Sequence, residues 1–213
     1  MTAQAPPAAG QLPRLVLATG NQHKLAELTR ILADGQVQVR LTGLAGFAGA
    51  PQVRETGATF AANALLKARA IAQFTGLPAV ADDSGLCVDA LNGMPGIFSA
   101  RWAGRHGDDA ANTGLLLGQL DDVPDERRAA HFACSAALVL PDGREHVSEG
   151  TVHGSVIRQP RGTGGFGYDP VFVPDGSDLT TAEMTPEAKD RISHRGRALR
   201  ALAPVIAALV AGS

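Results

Sequence analysis

Two adjacent carboxylates, Asp82 and Asp83, close the apolar run that begins at Leu77 in LPAVADDSG. Side chains on a strand alternate between faces, so the two acids should point opposite ways, one toward an open site and one into the structure. Ser84 and Gly85 follow them and are turn formers, so the same residues also read as a solvated turn separating two strands, LPAVADDSG and LCVDALNG. Glu55, in RETGATF, precedes a long helical pattern. Its carboxylate either complements the helix N-terminus or joins Asp82 or Asp83 as a hard oxygen ligand for Mg²⁺, an ion commonly held by two carboxylates and substrate phosphates.

Of nineteen Lys and Arg residues only three are lysine: Lys24, Lys67 and Lys189. In a chain that prefers arginine, a retained lysine suits a place that needs a compact ammonium, such as a phosphate reached through a narrow opening. Lys24 follows TGNQH at a strand-to-helix turn, where free backbone N–H groups and the helix dipole favour an anion, although the segment is no Walker sequence. The loop GTGGFGYD offers Gly164, Gly165 and Gly167 for close backbone approach, with Phe166 and the single tyrosine, Tyr168, beside them. An aromatic there either stacks on a base or anchors the loop in the core. In KDRISHRG, Lys189, Ser193, His194 and Arg195 are donors suited to a base edge or to phosphate oxygens, or else a solvated helix face. The other histidines show no metal spacing, and Ser84 lacks a GxSxG context, which disfavours a nucleophilic hydrolase.

The elements that must position these groups follow from periodicity. RLVLATGN reads as a strand running into a loop, and HKLAELTRILADG as a helix with Leu25, Leu28, Ile31 and Leu32 at helical spacing and a stop near Gly35. VQVRLTGLAG is a second candidate strand. ETGATFAANALLKARAIAQFTG gives a long helix with Phe60, Ala64 and Ile71 along one face, and Asn63 and Lys67 one turn apart beside it. PGIFSARWAGRHGDDAANTGLLLGQL starts irregularly and becomes helical. Two β-rich runs around PDG predict a hairpin and an antiparallel second half. A Gly-rich loop then leads to a short strand, and TPEAKDRISHRGRALRAL reads as helix with Thr185 as N-cap and Pro186 at its first position. Pro204 should kink the last helix or end its regular part.

At 213 residues, with 45% hydrophobic and 19% charged content, the chain can bury a sizeable core. A formal net charge of −2 argues against a nucleic-acid polymer as partner. Cys87 and Cys134, in apolar contexts without metal spacing, read as buried thiols of a reducing compartment. MTAQAPPAAGQLP resembles neither a signal peptide nor a membrane span, and residues 1–13 read as a disordered N-terminal tail. No later segment is long and apolar enough for a membrane helix, so a cytoplasmic protein is expected.

Taken together, TGNQHKLAE, ETGATFAANALLKA, ADDSGLCVDALNGMPGIFSARWAG, GTGGFGYDPVFVP and SHRGRAL resemble the inosine triphosphate pyrophosphatase family, the XTP/dITP diphosphatases, over roughly residues 14 to 203. The departures are the N-terminal tail, Gln22 and His23 in a variable part of the first loop, and Pro204. The resemblance implies an α/β fold, an elongated mixed β-sheet with flanking helices forming two lobes around a central cleft, over residues 14–213 as a single domain. It also implies a homodimer. The implied reaction is Mg²⁺-dependent hydrolysis of dITP, ITP, XTP or dXTP to the monophosphate and pyrophosphate. By the same resemblance Thr19, Gly20, Asn21, Gln22, His23 and Lys24 would bind the triphosphate, with Lys67 beside them. Glu55 and Asp83 would place the metal, Asp83 would accept the proton, and Ser84 would contact substrate. Phe166, Gly167, Tyr168, Asp169, Lys189, His194 and Arg195 would hold base and sugar, Phe166 by stacking and the last of them by reading a 6-oxo purine. Asp83 is then the acid that faces the site, and Asp82 the one behind it. A related pyrophosphatase with a pyrimidine or modified-base preference, and a non-catalytic nucleotide-binding protein, stay open as alternatives.

Overall fold

The computed structural model describes residues 12–211. In chain order the elements are β1 (Arg14–Leu17), α1 (Gln22–Asp34), β2 (Arg40–Gly43), α2 (Phe60–Thr75), β3 (Ala79–Val88), β4 (Met94–Pro95), α3 (Asp109–Gln119), β5 (Ala129–Val139), β6 (Glu145–Val156), β7 (Phe172–Pro174), α4 (Pro186–Ile192) and α5 (His194–Ala211). The architecture is mixed α/β. Strand order in the sheet is β2-β1-β3-β5-β6-β7, with β4 paired to β3. β1 runs parallel to β2 (Leu15↔Leu41) and to β3 (Val16↔Ala79), whereas β6 and β7 are antiparallel (Ser155↔Val173). The expected tail lies outside the described residues as far as residue 11. Pro13 is already tied down, its carbonyl accepting from the Arg40 N–H at 2.8 Å.

The chain divides into two compact units: residues 1–83, 135–149 and 195–213 form one, and 84–134 and 150–194 the other. The first unit packs α2 on β1 and β3. Thr59 caps the helix, its hydroxyl accepting from the Ala62 N–H at 3.1 Å, and Gly76 ends it in the left-handed region at φ 65°. The buried face of α2 is mostly alanine (Ala64, Ala68, Ala72) with Ile71, small enough to sit closely on Val16, Ala79 and Ala81. In the second unit Leu86 and Val88 of β3, Leu116 and Leu120 near the end of α3, and Val152, Val156 and Phe172 make the core. The hairpin expected at PDG is present, with Leu140 N–H donating to the Arg144 carbonyl at 2.9 Å. Cys87 and Cys134 are buried and not joined in a disulfide. Among the described residues no helix is long and apolar enough to cross a membrane.

Two local readings are corrected, and one of the two outcomes open for Pro204 is excluded. ADDSG is no turn: β3 is one continuous strand of 10 residues through it. Gly85 is there because of crowding, since a Cβ on it would lie 2.4 Å from both the Gly96 carbonyl oxygen and Ser99 Oγ. Ser99 uses that proximity, its hydroxyl accepting from the Leu86 N–H at 2.9 Å and donating to the Gly96 carbonyl at 2.7 Å. Gly85→Ala is accordingly expected to cost about 3 kcal/mol, the upper end for overpacking against a fixed backbone. Urea denaturation checks this, and a midpoint equal to wild type would refute the crowding. The helix expected from Thr185 onward is two helices, because Ser193 at ψ 140° is extended and separates α4 from α5. Thr185 does cap α4, accepting from the Ala188 N–H at 3.2 Å. Pro204 does not end the last helix: α5 continues to Ala211, held by its buried face of Ala198, Leu199, Leu202, Ala203 and Ile206.

Candidate active site

In the first unit, α2, the loop before it and β3 bring three of the expected site residues together. The Lys67 ammonium lies 3.1 Å from Glu55 Oε1 and 3.1 Å from Asp83 Oδ1. Thus one cation holds two carboxylates toward a common point. The other Asp83 oxygen accepts from Asn63 Nδ2 at 3.1 Å, while Asn63 Oδ1 accepts from the Gly57 N–H at 2.8 Å. Asn63 is 0% exposed, and both ends of its amide are used. It therefore ties Asp83 to the loop that carries Glu55. The sequence signal for Asn63 was its position one turn before Lys67, which placed it beside the site without assigning it a task.

Burial pushes the Asp83 carboxyl up; Lys67 opposes this and Glu55 reinforces it, and the net position is above the usual carboxylate range. For Lys67, burial acts downward, but Asp83, Glu55 and Asp82 outweigh it and the ammonium is held above its ordinary value. Asp83 is thus a carboxylate with enhanced basicity beside a permanently charged lysine. Among the described residues no three His, Cys, Asp or Glu side chains gather into a metal site. What the chain offers a metal is two hard oxygen donors, Glu55 and Asp83, around a point now filled by the Lys67 ammonium. That donor set fits Mg²⁺ completed by substrate phosphates and water, and does not fit zinc.

Asp82 has an entirely different set of partners. Its Oδ2 accepts from Lys24 Nζ at 2.8 Å and from Arg195 Nε at 3.0 Å, and Arg195 also lies 3.6 Å from Glu27. Buried outright, the carboxylate would be pushed up, but Lys24 and Arg195 hold it well below the usual range. Consecutive residues of β3 with disjoint partner sets are what alternation predicts. Arg195, expected at the base, is buried on Asp82. In the first loop Asn21 stands just before α1, its side chain accepting from the Lys24 N–H at 3.4 Å, and Thr19 Oγ1 accepts from the Asn21 N–H at 3.1 Å. Gly20, Gln22 and His23 occupy the same strand-to-helix passage, at the start of α1.

In the second unit the Gly-rich loop presents Phe166, 58% exposed, while Tyr168 is 4% exposed and donates its hydroxyl proton to the Ser99 carbonyl at 2.9 Å. The two aromatics of the loop have therefore divided the tasks open to them: Tyr168 anchors and Phe166 is displayed. Asp169 accepts from the Phe166 N–H at 2.8 Å, from Thr181 Oγ1 at 2.8 Å and from Lys189, whose ammonium also sits 5.3 Å from the Phe166 ring centroid. His194 stacks on Phe132 with centroids 4.9 Å apart. Ser84 follows Asp83 on β3, half-buried.

Residues 15–205 match the Ham1 family. A dITP/XTP pyrophosphatase of Streptomyces coelicolor is 61% identical over 199 residues, covering 93% of this chain and 100% of that protein. A solved structure of a nucleoside-triphosphatase / dITP/XTP pyrophosphatase from Mycobacterium abscessus is 59% identical with a TM-score of 0.76, spanning 90% of this chain and 99% of the other. A HAM1 protein from Coxiella burnetii superimposes with a TM-score of 0.85 at 42% identity, over 92% and 98% of the two chains. With the family match spanning both units and relatives this similar over nearly their whole length, the chain belongs to the Ham1 family.

Proposed function

We propose that this chain hydrolyses noncanonical purine nucleoside triphosphates, dITP, ITP, XTP and dXTP, to the monophosphate and pyrophosphate, clearing them from the nucleotide pool. The observation that carries the reading is the Asp83 carboxylate, held by Asn63 and Lys67 next to Glu55. Relatives named dITP/XTP pyrophosphatase at 61% and 58% identity support the same reaction class.

Asp83 accepts the proton of a water that attacks the α-phosphorus in line, and the bond from that phosphorus to the bridging oxygen of pyrophosphate breaks. Lys67 and Lys24 place positive charge against the triphosphate, which gains negative charge on its leaving half. Thr19 through Lys24, at the strand-to-helix turn that opens α1, bind phosphate oxygens, favoured there by the helix dipole. Mg²⁺, held by Glu55 and Asp83 together with substrate phosphates, would add charge neutralisation of the leaving group. Ser84 contacts substrate beside Asp83. Phe166 stacks on the base while Gly167, Tyr168 and Asp169 shape the loop under it. Lys189 and His194 contribute donors to O6 of a 6-oxo purine, and Arg195, next in sequence, acts from its place on Asp82 by holding the start of α5. Adenine would set an amino donor against those donors and leave one unpaired. Residues 14–213 act as one domain in this reading, in a cytoplasmic homodimer.

Purified protein with Mg²⁺ is expected to release pyrophosphate from dITP and XTP, and little from dATP, dGTP or dTTP. Chelation of the metal by EDTA is expected to abolish release and excess Mg²⁺ to restore it. Inorganic phosphate as the first product would refute attack at the α-phosphorus, and pyrophosphate from dTTP would refute the purine preference.

A further inference from the structure

The loop that displays Phe166 is gripped from a distant helix. The Gly167 N–H donates to Asp109 Oδ2 at 2.7 Å, and the Gly167 carbonyl accepts from Thr113 Oγ1 at 3.3 Å. Both partners belong to the first turns of α3, which begins at Asp109. Gly167 itself is at φ 61°, a conformation that a side chain would disfavour, so its peptide is set by these two contacts rather than by packing of its own. Asp169 fixes the Phe166 N–H and Tyr168 is buried on Ser99, so the displayed residue and the two that follow it are all bonded. Asp109 is exposed and Thr113 is buried, and neither carries a structural load in the core comparable to that of Leu116 on the same helix.

We infer that Asp109 and Thr113 are positioning residues for base recognition, holding the Gly167 peptide so that the Phe166 ring is presented to the base in one orientation. The inference rests on the stacking role proposed for Phe166. An unclamped loop must be ordered on each binding event, a cost that falls on substrate binding and not on the chemical step.

The test measures kcat and KM for dITP in Asp109→Ala, Asp109→Asn and Phe166→Leu proteins and in the Asp109→Ala/Phe166→Leu double variant. Asp109→Ala is expected to raise KM about tenfold, the size of one charge-assisted hydrogen bond lost to loop disorder, with kcat within about twofold. Asparagine retains an acceptor oxygen and is expected to restore most of the loss. Phe166→Leu is expected to raise KM by roughly tenfold or more through lost stacking, and Asp109→Ala should add nothing on top of it. A wild-type KM in Asp109→Ala, or an undiminished effect of that change in the Phe166→Leu background, would overturn the clamp while leaving the stacking role intact. A wild-type KM in Phe166→Leu would overturn the stacking role and the clamp together, whereas the reaction at Asp83 is judged separately by product identity.

Discussion

Asp83→Asn is expected to lower kcat by roughly 10²- to 10⁴-fold, the range for removing a positioned general base, while the protein still binds dITP. Asparagine keeps the shape and one acceptor oxygen, which can still accept from Asn63 Nδ2, while Lys67 loses Asp83 but keeps Glu55 as its partner, so the fold is not the casualty. What disappears is the basic oxygen. In the native protein Asp83 is raised by burial and by Glu55, and Lys67 only partly offsets them; the amide has no comparable proton affinity. Equilibrium dialysis with dITP, beside a pyrophosphate release assay, separates the two quantities. Turnover within about threefold of wild type would remove Asp83 from proton transfer, because no positioned base is worth so little. Loss of binding as severe as the loss of turnover would instead make it a ligand-holding group alone.

Asp82→Asn should do its damage elsewhere. The native carboxylate is the shared anion of Lys24 and Arg195, both on one oxygen in a buried setting. Removing its charge leaves two cations facing each other, and breaking a buried pair in this way costs about 3–5 kcal/mol. For a chain of this size that lowers the melting temperature by roughly 10 °C. The pH dependence carries a second signature. The folded pKa of Asp82 lies below its unfolded value, so its stabilisation is complete above the unfolded carboxylate range of about 4 and is lost as pH falls below it. Wild-type stability should therefore drop on acidification below about pH 4 more steeply than that of the variant. Thermal melts of both proteins from neutral pH downward measure this. Parallel curves, or an unchanged melting temperature at neutral pH, would contradict the assignment of Asp82 as the buried counter-ion.

Much of this was legible in the sequence where a single physical cause dominated. Thr185 followed by Pro186 announces a helix start because hydroxyl capping and a proline at N1 agree, and α4 begins there. The hairpin at PDG and the apolar stripe of α1 follow from period alone. Lys24, Lys67 and Lys189 are all ion-paired to carboxylates, whereas their scarcity in an arginine-rich chain suggested ammonium groups set at phosphates. ADDSG was ambiguous because turn propensity and strand pairing disagree over Ser84 and Gly85. Only the approach of Gly96 and Ser99, residues beyond the local window, shows that glycine serves packing rather than a bend. Arg195 and Asn63 were opaque for a related reason: a donor's partner lies far along the chain, 113 residues away for Arg195 and Asp82, and no spacing rule spans that interval. Likewise nothing near GFGY distinguishes the aromatic that anchors from the one on display.

The continuity of β3 bears on how this site can change over evolutionary time. Asp83, the proposed base, and Asp82, the buried counter-ion, occupy neighbouring places on one strand, so parity alone separates their partners. Point substitutions can test each place separately, but gaining or losing one residue just ahead of Asp82 would exchange the two faces at a stroke. The buried counter-ion would then face substrate and the base would face the interior, with no halfway state to select. Insertions and deletions are thereby closed to this stretch, and its diversification must proceed by replacement of one side chain at a time.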